Sequence, residues 1–481
     1  MLAKVIIVSA FALMIIIIGI LGMRRTRSFS DYFLGGGTVG PYMTAFTYGA
    51  AYFSAVLFIG FAGKVGWDFG LAGLWVGIGN AFVGVLGVWW LMGWRIKQMS
   101  VSYNAQTMPE YFEKRYDSRG FRLYSSIAIF VFFIPYSAAV FIGLTYLFQV
   151  NFGIDYTLAL AFMGIFTALY LVMGGYKSMT MIDVCFGIIM AVGAAVLLAT
   201  TLSKTGGWSG LNAGLDAIDP KLTEMAGPLG FWPLFSLVFL TSIAPFAMPQ
   251  LVQKFYAIKD RRSIRIGMVA STLFSLLIGA VAYFAGATCR VLMSPETSPA
   301  AFKDGKPIFD ALMPALLANV VPASLAILML LLILSASMST LAALVLISSS
   351  SVAKDVYAGF INPRVTDKKL TLLMRVCSAV FVLLSVTLAY FKPASIVAIL
   401  GISWGAIGSA FLGPFVWGLL FKRNNLVGAA GSSLLGLGSC IVFYATGTPS
   451  PQAGTIGMLV SLLSAPVLSL IMPIRRGITQ A

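Results

Sequence analysis

Thr241-Ser242-Ile243-Ala244-Pro245-Phe246-Ala247-Met248-Pro249 places two prolines four residues apart in the middle of an apolar run, 231–254. Each proline removes a backbone donor and its ring clashes with the preceding turn, so no uninterrupted helix passes here. Within a bilayer the freed carbonyls must face protein or water, because lipid offers them no partner. A second stretch has the same character. Thr47-Tyr48-Gly49-Ala50-Ala51-Tyr52-Phe53-Ser54-Ala55 sets glycine and small residues in the middle of run 41–63, with Gly60 and Gly63 following. Paired interrupted helices at corresponding places of two halves point to a secondary transporter with inverted repeats and a midplane site.

Composition supports a membrane reading. The chain has 481 residues, 59% hydrophobic and 10% charged, against about 25% charged in soluble proteins. Apolar segments fall at 4–23, 41–63, 70–94, 123–149, 154–173, 180–203, 231–254, 266–289, 320–352, 370–391, 394–420, 426–446 and 454–474, of lengths that suit a hydrocarbon core of about 30 Å. The expectation is an all-α polytopic protein of about thirteen transmembrane helices, the breaks falling in the second and seventh. The loops at 95–122, 204–230 and 290–319 are too short to fold as catalytic domains, although 108–116 reads as amphipathic.

Charge distribution orients the chain. The net charge of +16 comes from 32 Lys and Arg residues lying in short loops, not in the patch or stripe that nucleic acid requires. Alternate loops hold 24 of those 32, among them Arg24, Arg25, Arg27, Lys177, Lys254, Lys354, Arg475 and Arg476. The positive-inside rule then puts the N-terminus outside and the C-terminus in the cytoplasm. The run 5–23 has no small-residue cleavage site and precedes Arg24, so it reads as a retained helix. Histidine is absent and Cys185, Cys289, Cys377 and Cys440 are scattered, which leaves neither a metal spacing nor a disulfide framework.

Chemistry is concentrated in a few polar residues at membrane depth. Ser335-Ala336-Ser337-Met338-Ser339-Thr340 opens a hydroxyl stripe in an otherwise aliphatic run that Ser348 to Ser351 closes. Hydroxyls and freed carbonyls are hard neutral donors suited to a small monovalent cation, although serine and threonine also join helices together. Asp183 is the acidic residue inside a spanning segment, a position to be suspected of function; it reads as a guide for a cation near the cytoplasmic turn Gly174-Gly175-Tyr176-Lys177. No basic side chain is expected near either break.

These residues resemble the solute:sodium symporter family, whose LeuT-type core has two inverted five-helix repeats. The resemblance covers about residues 25–445, through Asp31-Tyr32-Phe33-Leu34-Gly35-Gly36-Gly37 and the spaced Gly418-Leu419, Arg423, Gly428-Ala429, Ser432 and Gly436. It implies one extra N-terminal helix (1–24), a first repeat (41–203), a second repeat (231–420), and two further helices with a short cytoplasmic tail (426–481). It also implies a sodium site made by the carbonyls of Ala50, Phe53 and Ala336 and the hydroxyls of Ser339 and Thr340. Some members add a second sodium through later hydroxyls and the aspartate equivalent to Asp183; Ala342 and Ala343 stand there, so one sodium is expected.

Tyr136 and its flanks, with Pro249, Phe255, Ala257 and Trp404, look like sodium/proline symporters. The stretch from Tyr52 to Gly60 looks closer to pantothenate and monocarboxylate carriers. Proline symporters carry aspartate where this chain has Tyr52, and tryptophan in place of Val56 and Thr241. Val56, Leu57, Tyr136, Thr241, Ser242 and Trp404 are the candidate substrate residues. Val56 and Leu57 cannot bond a ring of hydroxyls, which disfavours a sugar. The function expected is sodium-coupled import of a small solute, proline-like, at the plasma membrane by a monomer, with neither nucleic-acid partner nor enzymatic activity. A monocarboxylate or pantothenate-like anion, or proton coupling through Asp183, is the alternative.

Overall fold

The computed structural model describes residues 2–24, 28–322 and 325–472. Arg25, Arg27, Arg475, Arg476 and the tail after 472 lie outside them. The chain is built from α1 (Leu2–Arg24), α2 (Pro41–Tyr52), α3 (Val56–Ser102), α4 (Met108–Tyr116), α5 (Arg119–Phe152) and α6 (Tyr156–Thr205). Next come α7 (Phe231–Ile243), α8 (Pro249–Ala257), α9 (Arg261–Leu292), α10 (Phe309–Val320) and α11 (Ala326–Ile361). The last four are α12 (Asp367–Phe391), α13 (Ile396–Leu420), α14 (Leu426–Ala445) and α15 (Ser450–Ile471).

Local chemistry sets many of these boundaries. Pro41 and Pro249 occupy first-turn positions, where a missing N–H costs nothing. The Ser118, Asp155, Asp260, Ser395 and Asn425 side chains accept from free backbone N–H groups at the starts of α5, α6, α9, α13 and α14, as good N-caps do. The exposed Asp155 and Asp260 carboxyls are held below the usual carboxylate range by those backbone bonds, from Thr157 and Ser263 respectively.

Among the described residues, ten helices are long and apolar enough to cross a membrane, or eleven if the bent pair Phe231–Ala247 and Pro249–Ala257 is one span. That measure does not reach the thirteen expected from sequence. The 47 residues of α3 form one helical stretch that covers the latter part of one expected segment and all of the next. Its interruption is at Gly70, whose φ of 57° and ψ of −129° suit glycine alone. The first part of α6, Tyr156–Leu169, is a shorter apolar helix that runs on across a break at Gly175 (φ 65°, ψ 176°). Outside the spans, the amphipathic 108–116 stretch is indeed α4, and the 290–319 loop holds a two-stranded hairpin pairing Phe302 with Pro307.

Burial separates the inside of the bundle from its rim. The most apolar window of α11 is 94% buried and that of α13 89%, against 22% for α1. A helix enclosed on all sides can carry a polar stripe without presenting it to lipid. The α11 helix is enclosed by α5, α6 and α12, while α14 and α15 pack on α13. A strap formed by residues 28–40 lies across one end of the broken helix. Val39 N–H donates to Ala257 O at 3.0 Å, Lys259 N–H donates to Val39 O at 3.1 Å, and Gln253 Nε2 donates to Phe33 O at 2.9 Å.

Candidate functional site

Both breaks expected from sequence are present, and each leaves backbone groups to be satisfied. The α2 helix ends at Tyr52, and Phe53 is extended (φ −106°, ψ 132°). The N–H groups freed by this interruption are taken up locally and by α11. Ala55 N–H donates to Ser337 Oγ at 3.0 Å, and Val56 N–H donates to Ser54 Oγ at 3.2 Å. Ser337 in turn donates to Ile333 O at 2.6 Å. At the other break, α7 gives way to a tight turn over Ala244–Ala247, Met248 is extended, and α8 restarts at Pro249 with a bend of 42°.

The carbonyls released at the end of α2 converge on α11. Thr340 Oγ1 lies 3.5 Å from Ala50 O, 3.3 Å from Ala51 O, 3.4 Å from Phe53 O and 3.1 Å from Ala336 O. A hydroxyl has one proton, so it cannot satisfy four carbonyls, and an excess of acceptors remains. Ser339 Oγ, on the neighbouring residue, is buried beside the Asp183 carboxylate. Unwound carbonyls and hydroxyls in a midplane break are the donors that hold alkali cations in transporters. Of the five residues expected at a sodium site, Ala50, Ala336, Ser339 and Thr340 fall on these two helices and Phe53 is the extended residue just past α2. Among the described residues no group of three His, Cys, Asp or Glu side chains is placed to hold a metal.

Asp183, on α6, is fully buried. The hydroxyls of Ser339 and Thr47 lie beside it and Lys254 acts on it through space. Lys254 corrects the sequence reading, which placed it in a cytoplasmic loop and expected no basic side chain near either break. Its exposure is 0%, because Pro249 starts a new helical turn and carries the span on to Ala257. The signal was available: a proline that fits a helix start predicts continuation, and continuation takes Lys254 inside. The Ser348–Ser351 hydroxyls are also interior, with Ser349 bonded to Ser378 across helices at 2.8 Å.

Beside the first break is a small cavity of about 30 Å³ lined by Tyr52, Phe53, Ser54, Val56, Leu57, Phe61, Asn80, Tyr136, Thr241, Tyr283, Leu400 and Trp404. The Tyr52 and Tyr136 rings meet Trp404 edge-on, with centroids 6.1 and 5.7 Å away. Tyr52 Oη donates to Thr241 O at 2.6 Å, tying one break to the other. Five of the six expected substrate residues line this space. Ser242 does not; its hydroxyl donates to Asn80 Oδ1 at 3.2 Å. The Thr241 hydroxyl is turned back to Leu237 O at 2.8 Å, which leaves its methyl for the cavity. Sequence reading missed Asn80 and Tyr283, although Asn80 is a lone carboxamide in an apolar run. Trp404 Nε1 is buried at the wall beside Tyr136. No lining residue carries a charged side chain, so the space suits a ligand whose charges balance internally or against an adjacent ion.

Comparison with known proteins adds to this geometry. The family model described as "Sodium:solute symporter family" matches residues 32–436. The chain is 29% identical to the sodium/proline symporter of Escherichia coli over 463 residues, 92% of this chain and 90% of that one. It is 28% identical to the sodium/pantothenate symporter of Haemophilus influenzae over 457 residues, 91% of each. Among solved structures, a Na+-coupled sialic acid symporter in a substrate-bound outward-open state superposes with a TM-score of 0.81 over 99% of both chains at 17% identity.

Proposed function

The chain belongs to the sodium:solute symporter family, and we propose that this member imports a small proline-like amino acid with one sodium ion. It is a multi-pass membrane transporter with a LeuT-type fold, and not an enzyme. The observation that carries the coupling assignment is the convergence of four carbonyls on Thr340 Oγ1. In our reading sodium is held by the carbonyls of Ala50, Phe53 and Ala336 and the hydroxyls of Ser339 and Thr340. The amino acid lies against Val56, Leu57, Tyr136, Thr241 and Trp404. A zwitterion brings its own counter-charge into a cavity without charged walls. A monocarboxylate or pantothenate-like anion is the second reading, favoured by the sodium/pantothenate relative, with the adjacent sodium as counter-ion.

The cycle begins with sodium. Its binding ties α2 to α11 and so orders the cavity beside it. One repeat (41–203) then rocks against the other (231–420), and both ligands leave past Asp183 to the cytoplasm. The protein acts as a monomer in the plasma membrane, N-terminus outside and C-terminus inside. One charge crossing about 100 mV yields about 2.3 kcal/mol, and a tenfold sodium gradient adds about 1.4 kcal/mol. Together these support accumulation of a few hundred-fold.

Thermal stabilisation of the purified protein tests both parts, because a ligand that binds only the folded state raises its stability. Sodium, not potassium, should raise Tm, and proline should raise it further only when sodium is present. Pantothenate in proline's place would establish the second reading. Equal behaviour in sodium and potassium at every pH would overturn sodium coupling and leave Asp183 as the carrier of a proton.

A further inference from the structure

Lys254 and Asp183 are each fully buried, and Lys254 Nζ has no hydrogen-bond partner. The lysine comes from α8, just beyond the second break, and the aspartate from α6. Lys254 Nζ lies 5.0 Å over the Tyr176 ring, a cation–π position that attracts an ammonium. The Thr47 and Ser339 hydroxyls lie against Asp183, and the Tyr176 hydroxyl, buried without a partner, is in the same neighbourhood. An isolated buried charge is expensive, and partner-free buried atoms are uncommon. A lysine and an aspartate buried beside the proposed sodium ligand Ser339 call for a reason.

Without the lysine, Asp183 with the hydroxyls of Thr47 and Ser339 is a carboxylate flanked by hard neutral oxygens, a set able to hold a second alkali cation. With the lysine, the charge of that set is already balanced. We propose that Lys254 is a tethered cation that stands where a second sodium would otherwise bind, and that it fixes coupling at one sodium per solute. The lysine has two resting places, the Asp183 carboxylate and the Tyr176 face. It withdraws to the ring as sodium passes from Ser339 to Asp183, then returns and displaces the ion toward the cytoplasm. Lys254 therefore limits the sodium count and speeds sodium release without touching the solute.

This inference rests on the sodium-coupled reading, and its test separates the two. Sodium-dependent proline uptake, with the charge moved per proline, is measured in proteoliposomes for the wild type, Lys254→Met, and Asp183→Asn/Lys254→Met. The wild type should show a hyperbolic sodium dependence and one charge per proline; uptake indifferent to sodium would remove the underlying reading itself. Lys254→Met should become sigmoidal in sodium, with a Hill coefficient approaching two and close to two charges per proline. The double variant, lacking both charges, should return to one. If Lys254→Met stays hyperbolic at one charge while the wild type is sodium-dependent, the tethered-cation role is wrong. Should Lys254→Met fold poorly, high sodium, unlike potassium, must restore its Tm by filling the vacated position, and failure of that rescue also overturns the proposal.

Discussion

Thr340 has the most consequence for its size. Its hydroxyl sits among carbonyls from Ala50, Ala51, Phe53 and Ala336, and an alanine there removes the proposed sodium ligand together with one small methyl. Thr340→Ala should weaken sodium activation at least tenfold, about 1.4 kcal/mol, and Thr340→Ser, which keeps the hydroxyl, should retain most of it. Sodium titration of solute uptake reads both. Ser337 has a different task, since its hydroxyl receives Ala55 N–H at the start of the restarted helix. Ser337→Ala leaves that buried N–H unpaired at a cost of about 1–3 kcal/mol. Its Tm should fall in sodium and in potassium alike, which distinguishes a structural loss from a lost ligand.

At the scale of elements, the close approach of α3 and α9 holds the first broken helix in place. A Cβ added at Gly66 would lie 2.0 Å from Gly286 C and 2.3 Å from Ala287 N, backbone atoms with no rotamer to yield. Gly66→Ala should therefore destabilise by about 1–3 kcal/mol or more, read as a lower Tm with unaltered sodium dependence of whatever protein folds. The breaks were legible in the sequence because proline and glycine interrupt helices by covalent geometry, independent of neighbours. The hydroxyl stripe was legible because polar groups in an aliphatic run need partners. Helix number depends on how breaks are counted, since the 47 residues of α3, interrupted at Gly70, are long enough for two spans. Lys254 was misplaced because charge counting assigns lysine to loops, whereas a span resumed after Pro249 carries it inward. Asn80 was missed because a single polar residue in an apolar run stands out less than a broken helix, and its place at the wall follows from tertiary packing.

For the whole molecule the question is what joins the helices around Arg122. Arg122 lies 2.6 Å from Glu113, 3.4 Å from Asp355 and 3.6 Å from Glu110, and Lys354 lies 3.5 Å from Glu110. Thr107 Oγ1 donates to Asp355 Oδ1 at 2.6 Å. This mostly buried network ties α4 to the start of α5 and the end of α11. Removing one member of a buried charge group costs about 3–5 kcal/mol, comparable to the roughly 5.5 kcal/mol that carries a two-state equilibrium from 1:99 to 99:1. Arg122→Gln should thus raise the fraction of molecules open around this network, measured by spin-label distances between α4 and α8, and should lower transport more than it weakens sodium binding. The central claim is that one sodium, held where α2 breaks against α11, drives solute entry. Its most direct test is proline uptake into proteoliposomes under an inward sodium gradient, against an equal potassium gradient, for the wild type and Thr340→Ala. The account predicts accumulation only with sodium and only in the wild type; equal uptake under both gradients, or a Thr340→Ala variant that accumulates as well as the wild type, would contradict it.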